Sequence, residues 1–204
     1  MSHKRVKTTP DLAANSPAHL AAIAAGNDHF RSWHLNVQDH FKDKTTEEIR
    51  QTLRETASPF SILIENVIGD FNISTVIRNA NGFNAREVFY IGERRFDRRG
   101  CCGVQHYVDI KFLPTMSDVV KLKEKYIFVG LDNVPGSVSM KTYEWKPNTL
   151  IIVGGEGVGI TATTLALCDD IVHIPMSGSV RSFNVGTASG MAMYDFTNKI
   201  GGNK

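Results

Sequence analysis

Four stretches of this 204-residue chain concentrate groups that can do chemistry. The first is Gly154-Gly-Glu156-Gly-Val-Gly159. It follows an apolar run and leads toward a helix expected to begin near Thr161, the setting in which glycine loops bind phosphates through backbone N–H groups. Its spacing excludes two common nucleotide fingerprints. A P-loop needs Lys where Ile160 stands, although Gly154, Gly159 and Thr161 fit the template, and G-x-G-x-x-G is not matched. Two readings stay open: a turn that lets a ligand approach the backbone around the Glu156 carboxylate, or a tight strand-to-helix connection.

The second stretch places Asn72 and Arg78 at the two ends of a helical pattern. Asn72 is a natural N-cap, and Arg78, near the end of the helix before Gly82, suits the helix dipole as readily as a substrate. The third is the chain's one dense basic cluster, Arg94, Arg95, Arg98 and Arg99, interleaved with Phe96 and followed by His106 and Tyr107. Guanidinium groups clamp phosphates and aromatic faces stack on unpaired bases, so this loop suits RNA or DNA, tempered by Glu93 and Asp97. The alternative is an exposed loop with internal ion pairs. The fourth runs from Ile174-Pro-Met176 to Ser182-Phe183-Asn184 and into a helix ending near Asn198. Ser182 is expected to cap that helix, whose small residues Gly186, Ala188, Ser189, Gly190 and Ala192 permit close packing against another element or subunit.

These stretches need a scaffold, and the pattern supplies one. Short runs rich in β-branched and aromatic residues occupy 60–65, 88–92, 107–113, 126–131, 150–153 and 171–174. Between them, Ile73, Val76, Ile77, Ala80 and Phe83 recur at helical spacing, and Val119, Val120 and Leu122 mark a second helix. Strands alternating with helices predict an α/β fold with a parallel sheet covered on both faces. Ligands bind beyond the carboxyl ends of such strands, which is where the glycine and polar stretches fall.

Residues 1–58 differ from the rest. They are polar and carry His3, His19, His29, His34 and His40, read as solvated or packing groups because no i, i+4 pair sits on one helix. Thr45-Thr46-Glu47-Glu48 reads as a capping box, with Ile49, Leu53 and Ala57 following at helical spacing until Ser58-Pro59. This segment is expected to be a partly helical extension to a unit spanning 59–204. Its basic start (Lys4, Arg5, Lys7) is interrupted by Pro10, Asp11, Asn15, Pro17 and His19, unlike a signal peptide.

Composition bounds the rest. With 42% hydrophobic residues the chain can bury a substantial core. Three cysteines, Cys101, Cys102 and Cys168, form no CxxC pair, which points to a reducing compartment and away from zinc. No apolar run approaches the ~20 residues of a membrane-spanning helix. The net charge of +2 is too small for a protein that coats nucleic acid. All of it resides in Glu93–Arg99, where four Arg face two acids, while the remainder balances.

Taken in order, Asn72-Ile-Ser-Thr-Val-Ile-Arg78-Asn-Ala, Leu150-Ile-Ile-Val-Gly154-Gly-Glu156-Gly-Val-Gly159 and Ile174-Pro-Met176-Ser-Gly-Ser-Val-Arg-Ser182-Phe183-Asn184-Val resemble the three motifs of the SpoU/TrmH-type RNA 2′-O-methyltransferases of the SPOUT class. The likeness covers roughly residues 59–198, the extent of one domain. Phe183 stands where that family usually has Leu, which bears on the adenine side of the cofactor. The N-terminal part does not resemble the larger RNA-binding domain of some members.

The resemblance implies a C-terminal trefoil knot, an exception to the general absence of knots. It also implies S-adenosylmethionine bound by Gly154, Gly159, Ile174, Met176 and Phe183, and a cytoplasmic homodimer whose site draws on both subunits. The reaction implied is methyl transfer to a ribose 2′-hydroxyl of tRNA or rRNA, with tRNA preferred for so compact an enzyme. Arg78 would activate the hydroxyl. Because a guanidinium is protonated at neutral pH, anchoring a phosphate and stabilising alkoxide charge asks less of it than acting as a base. Asn72, Glu156, Ser182 and Asn184 would orient the reactants, Arg94, Arg95, Arg98 and Arg99 would position RNA, and no metal is implied. Two other readings are a catalytically inactive RNA-binding module of the same fold and a nucleotide-dependent Rossmann-like enzyme. Calorimetry with S-adenosylmethionine against NAD and ATP separates these.

Overall fold

The computed structural model describes residues 21, 37–42, 44–65, 70–92, 94–155 and 157–201. His3, His19, His29, His34 and the Lys4–Lys7 stretch lie outside them. The chain divides into two units, Met1–Glu55 and Thr56–Lys204.

In the first unit, helix α1 spans Thr46–Glu55. Thr45 and Glu48 form the expected capping box. The Thr45 amide and hydroxyl donate to Glu48 Oε2 at 2.7 and 2.8 Å, and the Glu48 amide donates to Thr45 Oγ1 at 3.3 Å. Ala57 falls beyond the helix end.

The second unit is built on a sheet of strands β1 (Phe60–Glu65), β2 (Val88–Ile91), β3 (Ile110–Leu113), β4 (Ile127–Leu131), β5 (Val138–Ser139), β6 (Thr149–Val153) and β7 (Asp170–His173). Their order is β3-β2-β1-β6-β4-β7-β5, and each neighbouring pair is parallel. All six apolar runs became strands. The two-residue β5 carries no apolar run to announce it and exists through its pairing with β7. The run expected at 107–113 yields a strand only from Ile110, because Tyr107 closes a tight 3-10 turn, Val104–His106.

Helices α2 (Asp70–Gly82), α3 (Met116–Lys121), α4 (Ala162–Leu165) and α5 (Val185–Gly201) lie between or after the strands. Alternate strand residues point to opposite faces, and each face has its own core. Ile62, Ile64, Val129, Ile151 and Val153 pack with Ile73, Val76, Ile77 and Ala80 of α2 and with Ala192, Met193 and Phe196 of α5. Leu63, Phe128, Leu150 and Ile152 pack with Val119 of α3, Ile160 and Leu165. Two helix starts differ from expectation. Helix α2 begins at Asp70, so Asn72 lies inside its first turn and is not its cap. Helix α5 is capped by Asn184, whose Oδ1 accepts from the Thr187 amide at 3.3 Å, while Ser182 stands outside the helix.

A charged cluster fastens the amino ends of the strands, opposite the site described below. Glu87 is buried and accepts from Lys111, from Lys125 at 2.8 Å and from the Tyr126 hydroxyl, which itself accepts from Ser61 at 3.1 Å. Burial alone would raise its pKa, but the bonds from Lys111, Lys125 and Tyr126 outweigh it and lower it from 4.5 to about 2. The cluster therefore stabilises the fold fully above pH 4.5 and loses that contribution as pH falls toward 2. The contribution is at most about 3 kcal/mol, since both lysines are half exposed and solvent-screened. Urea unfolding at pH 7 and pH 3 is expected to show Glu87→Gln less stable than the parent at pH 7, with less than half of that deficit remaining at pH 3. An equal deficit at both values would contradict this role.

Candidate active site

Beyond the carboxyl ends of β4, β6 and β7 lies a cavity of about 500 Å³. Its walls bring together separate stretches of the chain: Leu131–Asn133 at the end of β4, the glycine loop (Gly154, Gly155, Gly157, Gly159), Ile174 and Met176 after β7, and Arg181–Val185 leading into α5. Seven of the residues singled out from sequence line it, namely Gly154, Gly159, Ile174, Met176, Ser182, Phe183 and Asn184. The Glu156 side chain lies outside the described residues.

The loop closes on itself. Gly155 and Gly159 exchange backbone hydrogen bonds at 3.1 and 3.0 Å. A Cβ on Gly154 would sit 2.0 Å from the Gly159 carbonyl carbon and 2.3 Å from the Ile160 nitrogen. Gly157 and Gly159 adopt φ of +82° and +72°, the left-handed region that glycine tolerates.

Two carboxylates that sequence reasoning did not select hold this loop. Asp132, directly after β4, accepts from the Ile160 amide at 2.8 Å and the Asn133 amide at 2.7 Å. Glu65, at the end of β1 and buried, accepts from the Thr161 amide at 2.9 Å and from the Thr161 and Thr164 hydroxyls at 2.5 and 2.6 Å. Thr161 in turn caps α4. Both fall where such sheets place their sites, each being the acid at the carboxyl end of a strand, but position alone gives neither a role.

Asn72 and Arg78 do not line the cavity. Asn72 reaches it through a side-chain bond, Asn184 Nδ2 to Asn72 Oδ1 at 2.9 Å. Arg78 lies about 9 Å further along α2, its side chain exposed and its Nη1 donating to Cys102 Sγ at 3.4 Å. Helices α2 and α5 run close together. A Cβ on Gly186 would lie 2.7 Å from Thr75 Cγ2, and Asn79 Nδ2 donates to the Gly186 carbonyl at 2.8 Å and to Ser189 Oγ at 3.3 Å. Gly186, Ser189 and Gly190 thus serve packing within the chain; the outward side of α5 carries Tyr194 instead.

The arginine loop sits beside α2. Arg94, Arg95, Arg98 and Arg99 are all exposed. Arg99 is held by Asp97 through Nε at 2.8 Å and Nη2 at 2.5 Å, bonds that keep the Asp97 carboxyl below the usual carboxylate range. Arg94 and Arg98 lie over the Phe112 and Phe96 rings at 5.9 and 5.8 Å. An internal pair therefore occupies part of the loop, and Arg94, Arg95 and Arg98 carry the surplus positive charge. No group of three or more potential metal-ligating side chains occurs among the described residues. No helix among them is long and apolar enough to cross a membrane.

Comparison with known proteins places this geometry. A family model, the SpoU rRNA Methylase family, matches residues 59–194. The tRNA (guanosine(18)-2′-O)-methyltransferase of Escherichia coli (strain K12) is 30% identical over 152 residues, covering 72% of this chain and 66% of that protein. The 23S rRNA (guanosine-2′-O-)-methyltransferase RlmB of Pectobacterium atrosepticum is 25% identical over 152 residues, covering 71% and 62%. The chain thus spans slightly less than two thirds of the length of these relatives. In fold it is similar to the A. aeolicus TrmH/SpoU tRNA modifying enzyme, with a TM-score of 0.67 at 19% identity, covering 77% of this chain and 85% of that one. The SpoU methyltransferase AviRb from Streptomyces viridochromogenes, solved in complex with AdoMet, gives a TM-score of 0.65 at 22% identity, covering 70% and 61%.

Proposed function

The chain belongs to the SpoU rRNA methylase family, and from that premise we propose that it transfers a methyl group from S-adenosylmethionine to a ribose 2′-hydroxyl of structured RNA. The observation that carries this reading is the convergence of the glycine loop, Ile174-Pro-Met176 and Ser182–Asn184 on one cavity, tied by Asn184 to the helix that bears Arg78.

The cavity fits the cofactor. Its volume lies in the range of about 300–1,000 Å³ usual for small-molecule sites. Leu131, Val153, Ile174, Met176 and Phe183 offer apolar surface for an adenine ring, and the glycines of the loop offer their backbone. Bound there, S-adenosylmethionine supplies an electrophilic methyl group on a sulfonium. The protein's part is to hold the acceptor and the charge that develops on it. Arg78 binds the phosphate next to the target ribose and stabilises the 2′-oxygen as its proton passes to solvent water. Asn72 and Asn184 fix the two helix starts between which the ribose enters, with Ser182 and Glu156 orienting ribose and cofactor. Much of the acceleration comes from this alignment.

Arg94, Arg95 and Arg98, with Arg99 braced by Asp97, position the RNA backbone without reading its bases. Replacing Arg94 and Arg98 together with Ala is expected to weaken RNA binding and to flatten its log–log salt dependence by about 1.5, with S-adenosylmethionine affinity unchanged by calorimetry. Equal loss of cofactor affinity would count against the assignment.

Transfer RNA is the preferred substrate, supported by the higher identity to the named tRNA enzyme, 30% against 23–26% for the RlmB proteins compared. Residues 59–204 are proposed as the catalytic unit and residues 1–58 as an extension serving RNA binding or dimerisation. A homodimer is proposed, favoured by exposed Val180 and Phe183 on the segment before α5 and exposed Tyr194 further along that helix. A trefoil knot in the C-terminal segment follows from the family and accords with β7 lying between β4 and β5, strands already laid down before it. Cytoplasmic action on RNA completes the proposal. The deciding experiment maps 2′-O-methyl sites in tRNA and rRNA from cells with and without the gene; no site lost from either RNA would overturn it.

A further inference from the structure

Helix α2 presents two residues one turn apart, Ser74 and Arg78, to the segment that closes the arginine loop. Ser74 Oγ donates to the Asp97 carbonyl, and Arg78 Nη1 donates to Cys102 Sγ at 3.4 Å. Between these contacts the chain makes one 3-10 turn, Arg98–Cys101, capped by the Asp97 side chain. The turn is firmly seated. Cys101 is fully buried and, with Val104 and Val108, belongs to the core that includes Ile73, Val76 and Ile77 of α2. Cys102 then takes a left-handed φ of +49° and Gly103 one of +88°, and this pair of turns brings the Cys102 thiol outward to the guanidinium.

We propose that the Asp97–Cys102 turn is the positioning device of Arg78, with the Cys102 thiol as its contact atom. The inference rests on the reading of Arg78 given above. An arginine side chain on a helix surface samples many rotamers, and a fixed acceptor on one Nη selects among them. Cys102 touches no substrate in this scheme. It acts through Arg78, and because Arg98 belongs to the same turn, RNA seated on the basic loop and the guanidinium that serves the ribose share one rigid base.

Cys102 is exposed, so replacing it opens no cavity in the core. Full-length Cys102→Ala and Cys102→Ser are compared with the parent on bulk tRNA and bulk rRNA from cells lacking the gene, using labelled S-adenosylmethionine. Cys102→Ala is expected to lower kcat about 10- to 100-fold, the cost of a misplaced catalytic group, with KM for RNA within about twofold and cofactor affinity unchanged. Cys102→Ser, which keeps an acceptor at the same atom, is expected to recover most of the turnover. The Arg78 guanidinium resonances should broaden or shift in Cys102→Ala and return toward the parent in Cys102→Ser. Normal turnover of Cys102→Ala, or parallel loss of cofactor affinity, overturns the positioning role while leaving the methyltransferase reading intact. A parent protein that methylates neither RNA overturns that reading and this role together.

Discussion

Arg78→Lys is expected to lower methyl transfer by at least 100-fold while leaving S-adenosylmethionine binding and thermal stability near the parent's. The size follows from what the guanidinium is asked to do. Preorganised donors aimed at developing charge contribute about 3–4 kcal/mol when one is removed. A lysine keeps the charge but loses the planar fork, so it cannot grip a phosphate bidentately while one Nη stays on Cys102. Cofactor affinity is spared because Arg78 does not line the cavity. Stability is spared because its side chain is exposed on α2. Single-turnover methylation with saturating cofactor measures the effect directly. Near-normal turnover of Arg78→Lys would sink the base and the anchor accounts alike.

Gly154→Ala is the second large effect, and it acts on the cofactor. The new methyl would lie 2.0 Å from the Gly159 carbonyl carbon and 2.1 Å from its oxygen, backbone atoms of the bridge that closes the loop. Nothing there can yield as a flexible side-chain end would. Either the Gly155–Gly159 bridge opens or the loop is displaced from Asp132, and both deform the cavity wall. Overpacking of this kind costs about 1–3 kcal/mol in stability. Cofactor affinity is expected to fall by at least 100-fold in calorimetry. Gly178→Ala is the control, because a Cβ there meets nothing within 4 Å. A Gly154→Ala protein that binds cofactor normally would show that the loop does not form the cofactor wall.

Much of the architecture could be read from local pattern. Thr45 and Glu48 are three residues apart, and their bonds need no tertiary partner. Ile73, Val76, Ile77 and Ala80 share a face by helical geometry alone, and all four are buried. The six apolar runs became strands because each is fully or half buried in a sheet covered on both sides. Where local pattern offered two equivalent choices, it erred. Ser182 and Asn184 are both competent caps, and the start of α5 at Val185 selects Asn184. Asn72 looked like a cap because Asn caps well, yet α2 begins two residues earlier and leaves its amide to meet Asn184, 112 residues away. Asp132 and Glu65 went unselected for a similar reason. An acid after a strand is ordinary, and their partners stand 28 and 96 residues along the chain.

By itself, then, the sequence determined the element types, the two covered faces of the sheet, the family likeness of its three motifs, and the concentration of net charge in Glu93–Arg99. Each follows from residues within one turn, one strand or one short loop, where geometry is set by the chain's own periodicity. Only the tertiary structure decided that the glycine loop hangs from Asp132 and Glu65, that the small residues of α5 meet α2 within the chain, and that Arg78 rests on Cys102. Those are contacts between segments brought together by strand order, and the strand order β3-β2-β1-β6-β4-β7-β5 is fixed by how both faces of the sheet are buried at once.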